Sequence, residues 1–206
     1  MKCDTLSAPS APFVYKLPRQ IQLQQAGDDL PAVLQSHTRK LWDGGRIEVP
    51  FLQFSEALKS GLLAARRSGR IIRGIEAASQ KLDSDRRGLD MLKRHTAQGE
   101  RVSRLLLMAG DGSANFYRKA DRLIERHAPR VLGCVIDADS LSLGSLLFGR
   151  GSTASMVLVS HKEDVCRILL ALMEDHKRAG TSSGQLQDTL GPSMTGAAQG
   201  ALKNSH

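Results

Sequence analysis

Three groups of residues in this chain have types and spacings that could carry chemistry: a pair of carboxylates, several glycine-rich turns and a concentration of arginines. Asp137 and Asp139 follow the apolar run VLGCVI, a place where an acid or base could be held. No further carboxylate cluster and no histidine stands near them in the sequence, so helix capping is expected of them rather than proton transfer. GTSSG at 180–184 has the G-x-S-x-G spacing of a nucleophile elbow, which works only between a strand and a helix. Here it opens a stretch of small and polar residues, and it is set aside. GDGS at 110–113 and GRGS at 149–152 are glycine turns, but neither continues into the G-K-[ST] of a phosphate loop. Cys3, Cys134 and Cys166 lie far apart, form no C-x-x-C pair and have no histidine at ligand spacing. Reduced thiols in a cytoplasmic chain are expected, with no structural metal and no cofactor. No catalytic set emerges, so the expectation is a protein that is not an enzyme and takes no small-molecule substrate.

The arginines remain. Residues 66–77, RRSGRIIRGIEA, place Arg66, Arg67, Arg70 and Arg73 around Gly69 and Gly74. A glycine can turn the chain out of one helix and into another, and a helix N-terminus presents unpaired amides that suit phosphate. Guanidinium groups can each bind a phosphate through two hydrogen bonds. The distribution of charge supports this reading. The chain carries a formal net charge of +8, and residues 61–104 hold eleven basic against five acidic side chains. A localised basic patch is the footprint of a polyanionic partner, although a merely solvated basic surface gives the same count. That segment contains no aromatic residue. Readers of unpaired strands stack bases on aromatic rings, so structured RNA or duplex is favoured.

The elements that must position these residues follow from periodicity. Residues 1–20 are punctuated by proline, and the N-terminus lacks the continuous apolar centre of a secretory signal. No apolar run is long enough to span a membrane. FVYKL (13–17) and RIEV (46–49) are candidate strands. Phe54, Leu58, Leu62 and Ala65 recur at helical spacing, with Gly69 as the stop. A second helix is predicted from Ile75 toward Leu92, with DSDRRG (83–88) as a potential interruption. Beyond it come a strand (101–109), a helix (114–128) capped by Asp111 or Ser113 and closed by Pro129, and a strand (131–137). A short helix (139–149), a strand (154–160) and an amphipathic helix (162–178) follow. Strands alternating with helices predict an α/β fold, a three-layer α-β-α sandwich with a small mixed sheet and a short N-terminal α+β region. Residues 179–206 have the composition of a disordered tail.

LLAARRSGRIIRGIEAASQKL (62–82), RLLLMAGDGSANFYRKADRLIER (104–126) and LGSLLFGRGSTASMVLV (143–159) together resemble the bacterial YlxQ-like proteins. These belong to the ribosomal protein L-seven-Ae superfamily of kink-turn RNA binders. The resemblance spans residues 54–178, with a long insert near 83–100. Residues 1–53 resemble a degenerate YlxR-like domain: KLW (40–42) stands where that domain has G-R-G-x-W, without the G-R-G itself, and just beyond this region ALKSGLL (57–63) resembles its closing helix.

The resemblance implies a cytoplasmic, non-catalytic binder of structured RNA, ribosomal or otherwise kinked, linked to the ribosome or the transcription–translation machinery. The family's G-x-N-E-x-x-K places its glycine on Gly74, its Asn on Glu76, its Glu on Ala77 and its Lys on Gln80, so all three base-reading positions differ. What survives are turn and phosphate positions: Gly69, Arg70 and Gly74. A second RNA-flanking loop of the family matches residues 148–152 and offers Arg150. The implied RNA-binding set is therefore Arg66, Arg67, Gly69, Arg70, Arg73, Gly74, Glu76, Gln80 and Arg150, with Gln80 the base contact. The departures at Glu76, Ala77 and Gln80 also fit a different class, a protein-interaction module that keeps the fold and has lost specific RNA recognition.

Overall fold

The computed structural model describes residues 15–23, 26–92 and 100–184. Two short helices, α1 (Arg19–Gln22) and α2 (Ala26–Ser36), lead into a hairpin of β1 (Thr38–Lys40) and β2 (Glu48–Leu52). There follow α3 (Glu56–Arg67), β3 (Ile71–Arg73), α4 (Ile75–Leu92) and β4 (Arg104–Met108). The chain continues with α5 (Ala114–His127), β5 (Val131–Ile136), α6 (Ser140–Phe148), β6 (Met156–Val159) and α7 (Lys162–Gly184).

The six strands form one mixed sheet in the order β1-β2-β5-β4-β6-β3. Its centre, β2, β5 and β4, is parallel, and β1, β6 and β3 join antiparallel. The central strands are continuous apolar runs because both faces of the sheet are covered. Along β4, Leu105 and Leu107 point to one side and Leu106 and Met108 to the other, as the two-residue strand period requires. The first side packs against Leu58 and Leu62 of α3, Leu143 of α6 and Ile168 and Leu169 of α7. The second packs against Ala78 and Leu82 of α4 and Tyr117, Leu123 and Ile124 of α5. The result is a three-layer α-β-α sandwich.

The N-terminal α+β region shares this architecture. Phe51 and Leu52 of β2 pair with Val135 and Ile136 of β5. Ile21, Leu30 and Leu34 are buried in the same core as α3 and α7. The parallel β2–β5 pairing thus places residues 48–52 inside the sheet that carries residues 54–178.

Four expectations require correction. Residues 15–17 of the candidate strand FVYKL are not in a strand, and residues 13–14 lie outside the described residues. RIEV enters its strand only at Glu48, which continues to Leu52. The polar run DSDRRG does not break α4, because its exposed side chains sit on the solvent side while Ala78 and Leu82 hold the helix to the sheet. The first residues of the expected disordered tail are helical, since α7 continues to Gly184; residues 185–206 lie outside the described residues.

The capping carboxylate behaves as its position suggests. Asp139 is the N-cap of α6 and accepts from the Ser142 amide at 2.6 Å. The hydrogen bonds from the Ser142 side chain and amide hold its carboxyl below the ordinary value. Ser113 caps α5, and Asp111 instead accepts from the Ser140 amide and hydroxyl at 3.0 and 2.8 Å.

Candidate nucleic-acid interface

The arginine-rich stretch is a helix end, a three-residue edge strand and a helix start, separated by two left-handed glycines. Ser55 caps α3 at its beginning by accepting from the Leu58 amide. At its end, Gly69 takes φ +67°, its amide donates to Arg66 O at 3.0 Å, and the Arg70 amide donates to Ala65 O at 2.9 Å. These two bonds are a Schellman motif, which needs a residue tolerant of positive φ. The chain then forms β3 against β6, with Ile71, Ile72 and Arg73 opposite Val159, Leu158 and Val157. Gly74, at φ +85°, donates its amide to Met156 O and turns the chain into α4. Having no side chain, Gly74 offers no cap to the amides of Ile75, Glu76 and Ala77 that open the helix.

A second loop lies beside the first. It leaves α6 at Phe148 and contains Gly149 at φ +100° and Gly151 at φ +81°. All four positive-φ glycines among the described residues therefore lie in these two loops. The loops are joined through Phe148: the guanidinium of Arg66 sits 5.3 Å from its ring centroid and that of Arg73 5.0 Å. Both are cation–π distances. Arg66 Nε also donates to Leu147 O at 3.1 Å, and Arg73 donates to Thr153 O. An arginine has five donors, so each keeps others for an external acceptor.

The remaining predicted site residues divide by environment. Arg67 and Arg150 are exposed and have no hydrogen-bond or ion-pair partner among the described residues. Arg70 points away from the loops. Its Nη1 is 3.1 Å from Asp164 and 3.5 Å from Glu163, both in the first turn of α7. The hydrogen bond to Asp164 is the main influence raising its pKa. Glu76 and Gln80 are exposed at the start of α4, one turn apart on the same stripe.

Glu76 and Gln80 face residues that the sequence reading did not single out. They share a groove of about 410 Å³ with Ile75, Ser79, Lys119, Arg122, Leu123 and Arg126. Lys119, Arg122 and Arg126 stand at i, i+3 and i+7 on α5, a spacing visible in the sequence as one helical stripe. That the stripe faces α4 is a matter of packing between the two helices on one side of the sheet.

The acidic residues of this face are largely engaged within the fold. Burial opposes ionisation of Asp85, but the Lys81 hydrogen bond at 2.8 Å and Arg104 at 2.6 Å outweigh it and hold its pKa down. Asp83 lies 3.3 Å from His127 Nε2 and 4.0 Å from Arg126 Nη1.

Comparison with known protein families and with curated proteins finds no match to this chain. Among solved structures, the chain is similar to a protein of unknown function from Bacillus halodurans C, at 17% sequence identity and a TM-score of 0.41. The similarity covers 58% of this chain and 99% of that one.

Proposed function

We propose that this protein is a non-catalytic binder of structured RNA that works with the ribosome or the transcription–translation machinery. The observation that supports this most is the union of two glycine loops across Phe148, with Arg67 and Arg150 exposed beside them and unpaired among the described residues. In this reading Arg66, Arg67, Arg73 and Arg150 supply charge-assisted contacts to phosphate. The amides at the start of α4, to which Gly74 offers no side chain, add a second kind of phosphate contact, which the helix dipole favours. The bare glycines let an RNA backbone approach the loops. A Cβ built on Gly69, Gly74, Gly149 or Gly151 meets nothing within 4 Å, so these glycines serve conformation and not a packed contact. Gln80 is the base contact, through an amide that can both donate and accept. Glu76 accepts from a base amino group, since a carboxylate beside phosphate is repelled unless it finds a donor.

Ultraviolet crosslinking of the purified protein to a kink-turn RNA, followed by peptide mapping, tests the assignment. The expected crosslinks fall in residues 66–80 and 148–153. Crosslinks confined to the opposite edge of the sheet, at β1, would overturn it.

A further inference from the structure

We propose that the trough that opens between α4 and α5 and continues along α4 is a second RNA contact, which holds the phosphate backbone of a double-helical stem flanking the segment gripped by the loops. This rests on the RNA-binding reading above and extends it along the molecule.

The trough begins where the loops end. Glu76 and Gln80 line its first hollow, opposite Lys119 and Arg122. Gln80 also lines the next hollow, of about 470 Å³, with Asp83, Arg86, Arg87 and Asp90. The two hollows are therefore one continuous track along α4. From Ile75 to Arg87 the helix rises about 18 Å. Over that length a duplex presents on the order of five phosphates per strand.

Charge and chemistry indicate the occupant. Lys119, Arg122, Arg86 and Arg87 are exposed and have no hydrogen-bond or ion-pair partner among the described residues. The acids in the trough are Glu76, Asp83 and Asp90, and Asp83 is already beside His127 and Arg126. The balance is basic, and neither hollow has an aromatic side chain among the described residues that line it. Bases of an unpaired strand would find no ring to stack on, whereas the backbone of a duplex needs only charge and donors. Both hollows are open to solvent and do not enclose a small ligand.

The test uses the full chain and two RNAs: a kink turn flanked by a full helical turn of stem, and the same kink turn with its stem cut to a third of a turn. In Lys119→Gln/Arg122→Gln, affinity for the long-stem RNA is expected to fall about tenfold, and the slope of log K against log salt to drop by roughly two. Affinity for the short-stem RNA is expected to hold within about twofold. Arg86→Gln/Arg87→Gln, farther along α4 in the second hollow, is expected to show the same selectivity. Circular dichroism melts of both variants check that the fold is intact. Equal losses on both RNAs, or no loss on either, overturn the stem contact but leave the loop reading standing as long as the unmodified protein binds both RNAs. If the unmodified protein binds neither RNA, both readings fail.

Discussion

Arg70 donates from Nη1 to Oδ2 of Asp164 at 3.1 Å, and the Asp164 side chain is only 1% exposed. This arginine lies within a basic cluster in the sequence, yet in the fold it ties the turn that precedes β3 to the first turn of α7. Asp164 also accepts from Arg167 at 3.0 Å, so a buried carboxylate depends on two cations. Removing one partner of a buried pair leaves the other without compensation. Arg70→Ala should therefore lower the thermal midpoint while leaving the salt dependence of RNA binding unchanged. A normal melt with a reduced salt slope would instead make Arg70 a phosphate contact.

Arg67 and Arg150 should behave in the opposite way. Both are exposed and unpaired among the described residues, so nothing in the fold depends on them. Arg67→Ala/Arg150→Ala should leave the melting curve unaltered and reduce the log–log salt slope of RNA binding by about 1.5–2, as expected for two lost phosphate contacts. Anisotropy titrations at several salt concentrations measure this directly.

Gly144 couples the core to the second loop. A Cβ on this residue would run into the backbone of Ser152 and come within 2.6 Å of Thr153 Cα. Since the obstacle is backbone and not a flexible side chain, Gly144→Ala must displace the segment that follows Arg150. Overpacking of this kind costs about 1–3 kcal/mol. A denaturant titration should show that loss, and RNA affinity should fall with it because Arg150 and Phe148 move. Full stability in this variant would contradict the packing described for α6.

The stability of the fold should depend on pH through His127. Its side chain is 5% exposed, and Nε2 lies 3.3 Å from Asp83 Oδ1 without the alignment of a hydrogen bond. Burial lowers its pKa below the ordinary 6.5; Asp83 opposes that shift, while Arg86, Arg126 and Arg130 add to it. The unfolded residue takes up a proton near 6.5, and the folded one only at lower pH. Between those values the unfolded chain binds more protons, so stability falls as pH drops below 6.5. Thermal midpoints measured downward from pH 7 should show a decline that is shallower in His127→Gln.

Most of the sandwich was legible in the sequence because its signals are local. The helical spacing of Leu58, Leu62 and Ala65, the Ser113 cap and the unbroken run of β5 each depend on neighbours in the chain. Elements held by distant partners were not. β3 has three residues between two glycines, and only its ladder with β6 makes it a strand. In α2, Pro31 interrupts the hydrogen-bond ladder, and Leu30 and Leu34 stay helical because they are buried against the core.

The candidate site divides along the same line. The glycines at 69, 74, 149 and 151 and the arginines beside them could be named from residue type. Their separate fates could not, because Arg66 meets Leu147 across 81 positions and Arg70 meets Asp164 across 94. Lys119 and Arg122 fall in the helix predicted over 114–128, but nothing in the sequence places them opposite Gln80.

The most direct test of the RNA-binding account is a fluorescence-anisotropy salt series with three RNAs: a kink turn, the same kink turn with its G·A pairs replaced, and a plain duplex. Salt-sensitive binding to all three is expected, with the intact kink turn held most tightly because Glu76 and Gln80 read its bases. Absence of binding at every salt concentration would contradict it and favour a protein-interaction module on the same fold.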